Sequence, residues 1–150
     1  MKAALIVILA ALAASASSTA QAAEARYTTD IKPLFQRRCS ACHGPDSPEY
    51  GDFKADKARF TAVSRGPRMD TYAHLIFFVG WPDTGALMRR LDDGASAPGG
   101  KPGNMYVHLG DSEEERRENL RVFKAWVGNW TLKRWRDVTR EEMGLIKVPY

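Results

Sequence analysis

The sequence predicts an all-α fold in which short helices are joined by long loops. No apolar–polar alternation of the strand type persists for more than a few residues. One segment near the C-terminus, from Ser112 to Trp130, combines a helix-start signal with helical apolar spacing. Leu, Ile, Val and Phe together supply only 24 of residues 23–150. That is lean for a packed core, so either the fold is loop-rich or a group that is not an amino acid contributes core volume.

The first 22 residues read as a signal peptide. A basic start (Lys2) precedes an unbroken apolar run, Ala3–Ala14, and Ala20-Gln21-Ala22 offers a small-residue cleavage site. The run is too short to span a bilayer, and cleavage after Ala25 is a second option. The remaining chain is expected to be a soluble exported protein with no transmembrane segment. Residues 23–150 carry 21 Lys and Arg against 18 Asp and Glu, a net charge of +3. Their number excludes a multidomain enzyme, and export with so weak a charge excludes a nucleic-acid partner.

Each element has its own warrant. Tyr27–Gly44 reads as a helix, with Thr29 or Asp30 as N-cap, Pro33 in the first turn, and Ile31, Leu34 and Phe35 as an apolar stripe. Pro45–Pro67 is polar and broken by Gly and Pro, which predicts a long loop with a helical turn around Asp56–Phe60. Asp70 is placed to cap a helix over 71–79, and Asp83 a short one over 84–91, with Gly80-Trp81-Pro82 between them. Asp92–Asn104 is rich in Gly and Pro and predicts no regular structure. Ser112 and Glu115 match a capping box, and Leu120, Phe123, Trp126, Val127 and Trp130 form the apolar face that follows. Thr139 and Glu142 repeat the capping signature in the tail.

The chemistry concentrates in Cys39-Ser40-Ala41-Cys42-His43. A disulfide across two intervening residues closes too small a loop to stabilise a fold much. A thioredoxin-type site needs a βαβ setting that this chain lacks, and zinc needs further ligands at matching spacing. Covalent haem attachment fits the spacing. On one helical turn two thiols meet the two vinyl groups of a single porphyrin, and the next residue sets an imidazole under the iron. Cys39 and Cys42 are therefore the expected thioether anchors of one haem c, and His43 the proximal iron ligand. A simple local disulfide is the competing reading.

Asp30-Ile31-Lys32-Pro33-Leu34-Phe35, then Cys39–Gly44, then a loop methionine, then an aromatic C-terminal helix: this order resembles the class I-like monohaem c-type cytochromes, small periplasmic carriers. The resemblance covers about Tyr27–Trp130. It implies a compact helical cytochrome c-like domain over 23–130 wrapped around one covalent haem, with 131–150 as a C-terminal extension. It places the distal iron ligand at Met105, which ends the Gly/Pro-rich loop; Met88, inside a helix, is the alternative. Met69, Met143, His74 and His108 are the remaining contenders. It also implies that the His43 imidazole donates its second N–H to the carbonyl of Pro45. Arg65, Arg68, Trp81 and Tyr106 are candidate propionate donors.

The function so implied is one-electron transfer between unidentified redox partner proteins in the periplasm, without enzymatic turnover of its own, with a monomer favoured. Two other readings stand beside it: a haem c subunit of a larger periplasmic oxidoreductase, docked through the tail, and an open-site haem sensor or peroxidase. The tail cations Lys133, Arg134, Arg136 and Arg140, interleaved with Trp130 and Trp135, are either a docking patch or a solvated face.

Overall fold

A computed structural model describes residues 24–150; the expected signal peptide lies outside them. The described residues are helical: α1 (Lys32–Arg38), α2 (Ser40–His43), α3 (Tyr50–Ala55), α4 (Lys57–Ala62), α5 (Tyr72–Phe77), α6 (Ala86–Leu91), α7 (Glu113–Val127) and α8 (Arg140–Gly144). Among the described residues the only β pairing is an isolated antiparallel bridge between Gly128 and Ile146.

The chain starts on a wide turn, Tyr27–Ile31, that runs straight into α1. Neither expected N-cap serves α1. The Asp30 carboxylate instead reaches back to the Arg26 N–H (2.8 Å) and takes the Thr29 hydroxyl (2.6 Å). Those bonds hold the Asp30 carboxyl below the usual range, the Arg26 N–H contributing most. Cys39, with φ −121° and ψ −27°, breaks the helix between α1 and α2.

The 45–67 stretch is more helical than its composition predicts. The α3 and α4 segments are mostly exposed, and Phe53 and Phe60 stack on one another, centroids 6.3 Å apart. Without a stripe facing the core there was no periodic signal to read. Thr71, not Asp70, caps α5 through the His74 N–H (3.2 Å). Asp83 does not cap α6, which begins after Gly85 in the left-handed region (φ 72°). There a Cβ would meet the Lys133 carbonyl at 2.4 Å, so glycine is required on two counts. The Asp83 carboxylate binds Arg89 Nη2 (3.3 Å) and the Tyr50 hydroxyl (3.2 Å).

The longest helix, α7, organises the core. Ser112 Oγ accepts from the Glu115 N–H (3.1 Å), which is half of the expected capping box; the Glu115 carboxylate turns to the Asp111 N–H (2.9 Å) and to Arg38. Leu120, Phe123, Trp126 and Val127 are buried in one cluster with Ile31, Leu34, Phe35, Leu75, Val79, Met88 and Leu109. Removing a ring the size of Phe123 or Trp126 from such a cluster costs about 3–5 kcal/mol.

The tail folds back on this body. Lys147 and Val148 donate their N–H groups to the carbonyls of Val127 and Trp126 (2.9 and 3.0 Å). The Pro149 carbonyl accepts from Trp126 Nε1 and from the Tyr27 N–H, both at 2.9 Å. Tyr150 packs on Tyr27 and Tyr72, centroids 5.5 and 5.1 Å away. Residues 146–150 thus pack onto the core, while α8 carries a complete capping box between Thr139 and Glu142.

Candidate haem site

Cys39, at the break between α1 and α2, and Cys42 and His43 within α2 are set by a short run of bonds. The Cys39 carbonyl accepts the N–H groups of Cys42 (3.2 Å) and His43 (2.9 Å), so the two thiols and the imidazole share one turn. The thiols are not joined to each other. Cys39 is partly buried and Cys42 exposed. Burial, assisted by the neighbouring Cys42, pushes the Cys39 thiol up to about 12. Gly44 follows because a Cβ there would lie 2.4 Å from the Ser40 carbonyl oxygen.

A strap from elsewhere in the chain, residues 65–69, holds this turn. The Gly66 N–H donates to the Cys42 carbonyl (2.8 Å), and the Met69 N–H to the His43 carbonyl (2.9 Å). Between them His43 Nδ1 donates to the Pro67 carbonyl (2.8 Å). The proline carbonyl expected at Pro45 is therefore at Pro67; Pro45 itself is exposed. Gly66 lies against the imidazole so closely that a Cβ would fall 2.1 Å from Cε1. Burial is the main reason that His43 is held below the ordinary histidine value, with His108 adding to it and the Pro67 bond opposing. The result is a neutral imidazole with Nδ1 occupied and the Nε2 lone pair free for a metal. Two free thiols and such an imidazole on one turn fit a covalently attached haem.

The other candidates divide by position. Met88 is fully buried in α6 within the core. Met105 is half-buried and begins a tight turn, Tyr106–Leu109. Its N–H donates to the Arg90 carbonyl (2.9 Å), and the turn is fastened to α7 by Asn119 Nδ2 on the Leu109 carbonyl (2.6 Å) and Arg116 on that of Gly110 (3.2 Å). His108, on the same turn, is exposed, and its charge is felt at His43. His74 is occupied by Asp70 (3.2 Å) and Glu49 (3.5 Å). Of the propionate candidates, Arg68 is engaged by Asp70 and Glu49, the Tyr106 hydroxyl donates to Glu113 (2.9 Å), and Arg65 donates to the Ala41 carbonyl (3.0 Å). Trp81 is 65% exposed. The strap is what the sequence reading missed. Its only local signal is the Gly66-Pro67 pair, a turn dipeptide with nothing to say which histidine it would meet.

An all-α domain with this turn at its surface defines a small cytochrome, and the comparisons with known proteins agree. The chain belongs to the PccH cytochrome c family, whose model matches residues 26–150. It is similar to the solved structure of monohaem cytochrome PccH from Geobacter sulfurreducens, with 61% sequence identity and a TM-score of 0.80; the match covers 85% of this chain and 99% of that one. No curated protein matches. The protein is accordingly a small monohaem c-type cytochrome with one covalently bound haem c and its iron. Its class implies electron transfer and redox partners. Among the described residues no helix is long and apolar enough to cross a membrane.

Proposed function

We propose that this cytochrome is an exported one-electron carrier of the periplasm, delivered there by residues 1–22, and that it shuttles between partner proteins without turning over a substrate. The observation that carries the reading is the His43 geometry: one ring nitrogen committed to the Pro67 carbonyl, the other left free, beside two unjoined thiols. When bound, the haem supplies an iron couple that gains and loses a single electron. Cys39 and Cys42 anchor it, and His43 ligates the iron through Nε2.

Met105 is the proposed distal ligand. Support comes from its half-buried place at the head of a turn pinned to α7. Met88 is already spent on core packing. A methionine in that position raises the reduction potential and suits carriage over catalysis. The tail's integration into the core weighs against its being a detachable docking element for a larger oxidoreductase.

Mass spectrometry of the exported chain is expected to show one added haem on a chain shortened by the leader. The oxidised protein is expected to show the weak iron–sulfur charge-transfer band, and Met105→Ala to abolish that band and lower the potential. A Met105→Ala protein with an unchanged spectrum would move the ligand to Met88. Ready carbon monoxide binding to the reduced wild type would overturn the carrier reading in favour of an open site.

A further inference from the structure

We propose that Arg68 is a positioning residue for the iron ligand, anchoring the strap whose Pro67 carbonyl accepts the hydrogen bond from His43 Nδ1–H and thereby setting the reduction potential. This rests on His43 being the ligand. The strap touches the haem-binding turn almost entirely through its backbone: Gly66 to Cys42, Pro67 to His43, Met69 to His43. Backbone bonds of this kind fix the carbonyl only if the strap is fixed behind them.

Arg68 does that fixing. Its Nε and Nη2 grip the two carboxylate oxygens of Asp70 (2.7 and 3.3 Å), and its Nη1 reaches Glu49 (3.2 Å). Its N–H donates to the Pro48 carbonyl (2.8 Å). Asp70 is itself held by the Tyr27 hydroxyl on its carbonyl (3.4 Å) and by His74 Nδ1 (3.2 Å), and His74 Nε2 returns to Glu49 (3.5 Å). One guanidinium fork therefore ties the strap to the starts of both α3 and α5. A two-pronged grip of this kind needs arginine, since an ammonium has no fixed fork. The same engagement leaves Arg68 poorly suited to the propionate role suggested by the sequence.

The consequence is electronic. A carbonyl held on Nδ1–H makes the imidazole a stronger donor to iron and favours the ferric state. A carbonyl that wanders weakens the donor and raises the potential.

The test is Arg68→Lys in the full-length haem-loaded protein, which keeps the charge and loses the fork. The expected results are an upward shift in potential and exchange of the His43 Nδ1–H roughly tenfold faster, equivalent to about 1.4 kcal/mol of local opening. Arg37→Lys, on the exposed side of α1, is the control and is expected to change neither. Wild-type potential and exchange in Arg68→Lys would overturn the proposal. Should that variant fail to fold, Glu49→Ala removes one arm of the clamp, and an unchanged exchange rate there would overturn it equally. The ligand assignment is read separately: His43 ring resonances in the reduced wild type must be displaced far upfield by the haem. If they are not, that assignment fails; if they are and Arg68→Lys is silent, only the clamp fails.

Discussion

Asp92→Asn is the sharpest probe of how the Met105 loop is held. Asp92 is 1% exposed and accepts from three N–H groups: Gly94 (2.8 Å) and Ser96 (3.2 Å) on one oxygen, Trp130 Nε1 (2.8 Å) on the other. Its own carbonyl accepts the Gly103 N–H (2.8 Å), closing the loop two residues before Met105. A carboxylate satisfies donors on both sides; an amide offers one oxygen and turns an NH₂ toward donors on the other. Losing one charge-assisted bond costs about 1.5–3 kcal/mol, and a donor left unsatisfied about 1–3 more. Relief from burying a charge returns part of this, so a net loss of about 2–3 kcal/mol is expected. For a domain of this size that is a fall of about 10 °C in melting temperature.

The assay is thermal melting of the haem-loaded protein, followed by circular dichroism and by haem absorbance. A variant melting within about 3 °C of wild type, less than about 1 kcal/mol, would refute the reasoning. The acid limb gives a second reading. Burial pushes the Asp92 carboxyl up, but the bonds from Trp130, Gly94 and Ser96 outweigh it, and the group sits below its ordinary value when folded. Its contribution is therefore complete above the unfolded-chain value and is lost as pH falls through the lower folded one. Asp92→Asn should flatten that part of the acid-unfolding curve.

Two further outcomes follow from the packing. Gly66→Ala puts a carbon 2.1 Å from the His43 ring, so the imidazole has to move off the Pro67 carbonyl; a shifted potential or failed haem attachment is expected, and a wild-type spectrum with wild-type potential would refute the contact. Ending the chain at Lys147 deletes five hydrogen bonds, two to Trp126 and one each to Tyr27, Tyr72 and the exposed Arg26, and the Tyr150 ring packing. At about 1 kcal/mol for each of the four bonds to Tyr27, Tyr72 and Trp126, with about 0.5–1.5 for the aromatic contact, urea unfolding should register a loss of roughly 5 kcal/mol.

The parts of this molecule readable from sequence are those whose causes lie within one turn of their effects. Cys39, Cys42 and His43 fall together because a single helical turn brings them together. The starts of α7 and α8 were legible because Ser112 and Thr139 act on N–H groups three residues on. Asp30, Asp70 and Asp83 were misread as helix caps for the opposite reason. An aspartate before a helix caps it only if nothing better is in reach, and here Arg26, Arg68 and Arg89 with Tyr50 supply better partners. No local pattern states that competition. Pro67 is the same case at longer range: 24 residues separate the acceptor from His43, and Pro45 was nearer along the chain but turned to solvent.

The tail shows what the lean aliphatic content left open. With few Leu, Ile, Val and Phe to fill it, the part of the core under the tail is built from rings and backbone bonds. Tyr27, Tyr72, Trp126 and Tyr150 lie with centroids 5.1–6.5 Å apart. Such rings carry polar edges that need partners when buried, and residues 148–150 provide them. Val148 offers its carbonyl to the Tyr72 hydroxyl, and Pro149 its carbonyl to the Trp126 indole. An aromatic core region therefore requires a strand of acceptors laid across it, which the chain supplies only by returning past Trp130. The family match running through Tyr150 is consistent with that requirement: in this cytochrome the last residues stabilise the helix, α7, whose N-terminal turn is tied through Glu115 and Arg38 to the residue just before Cys39.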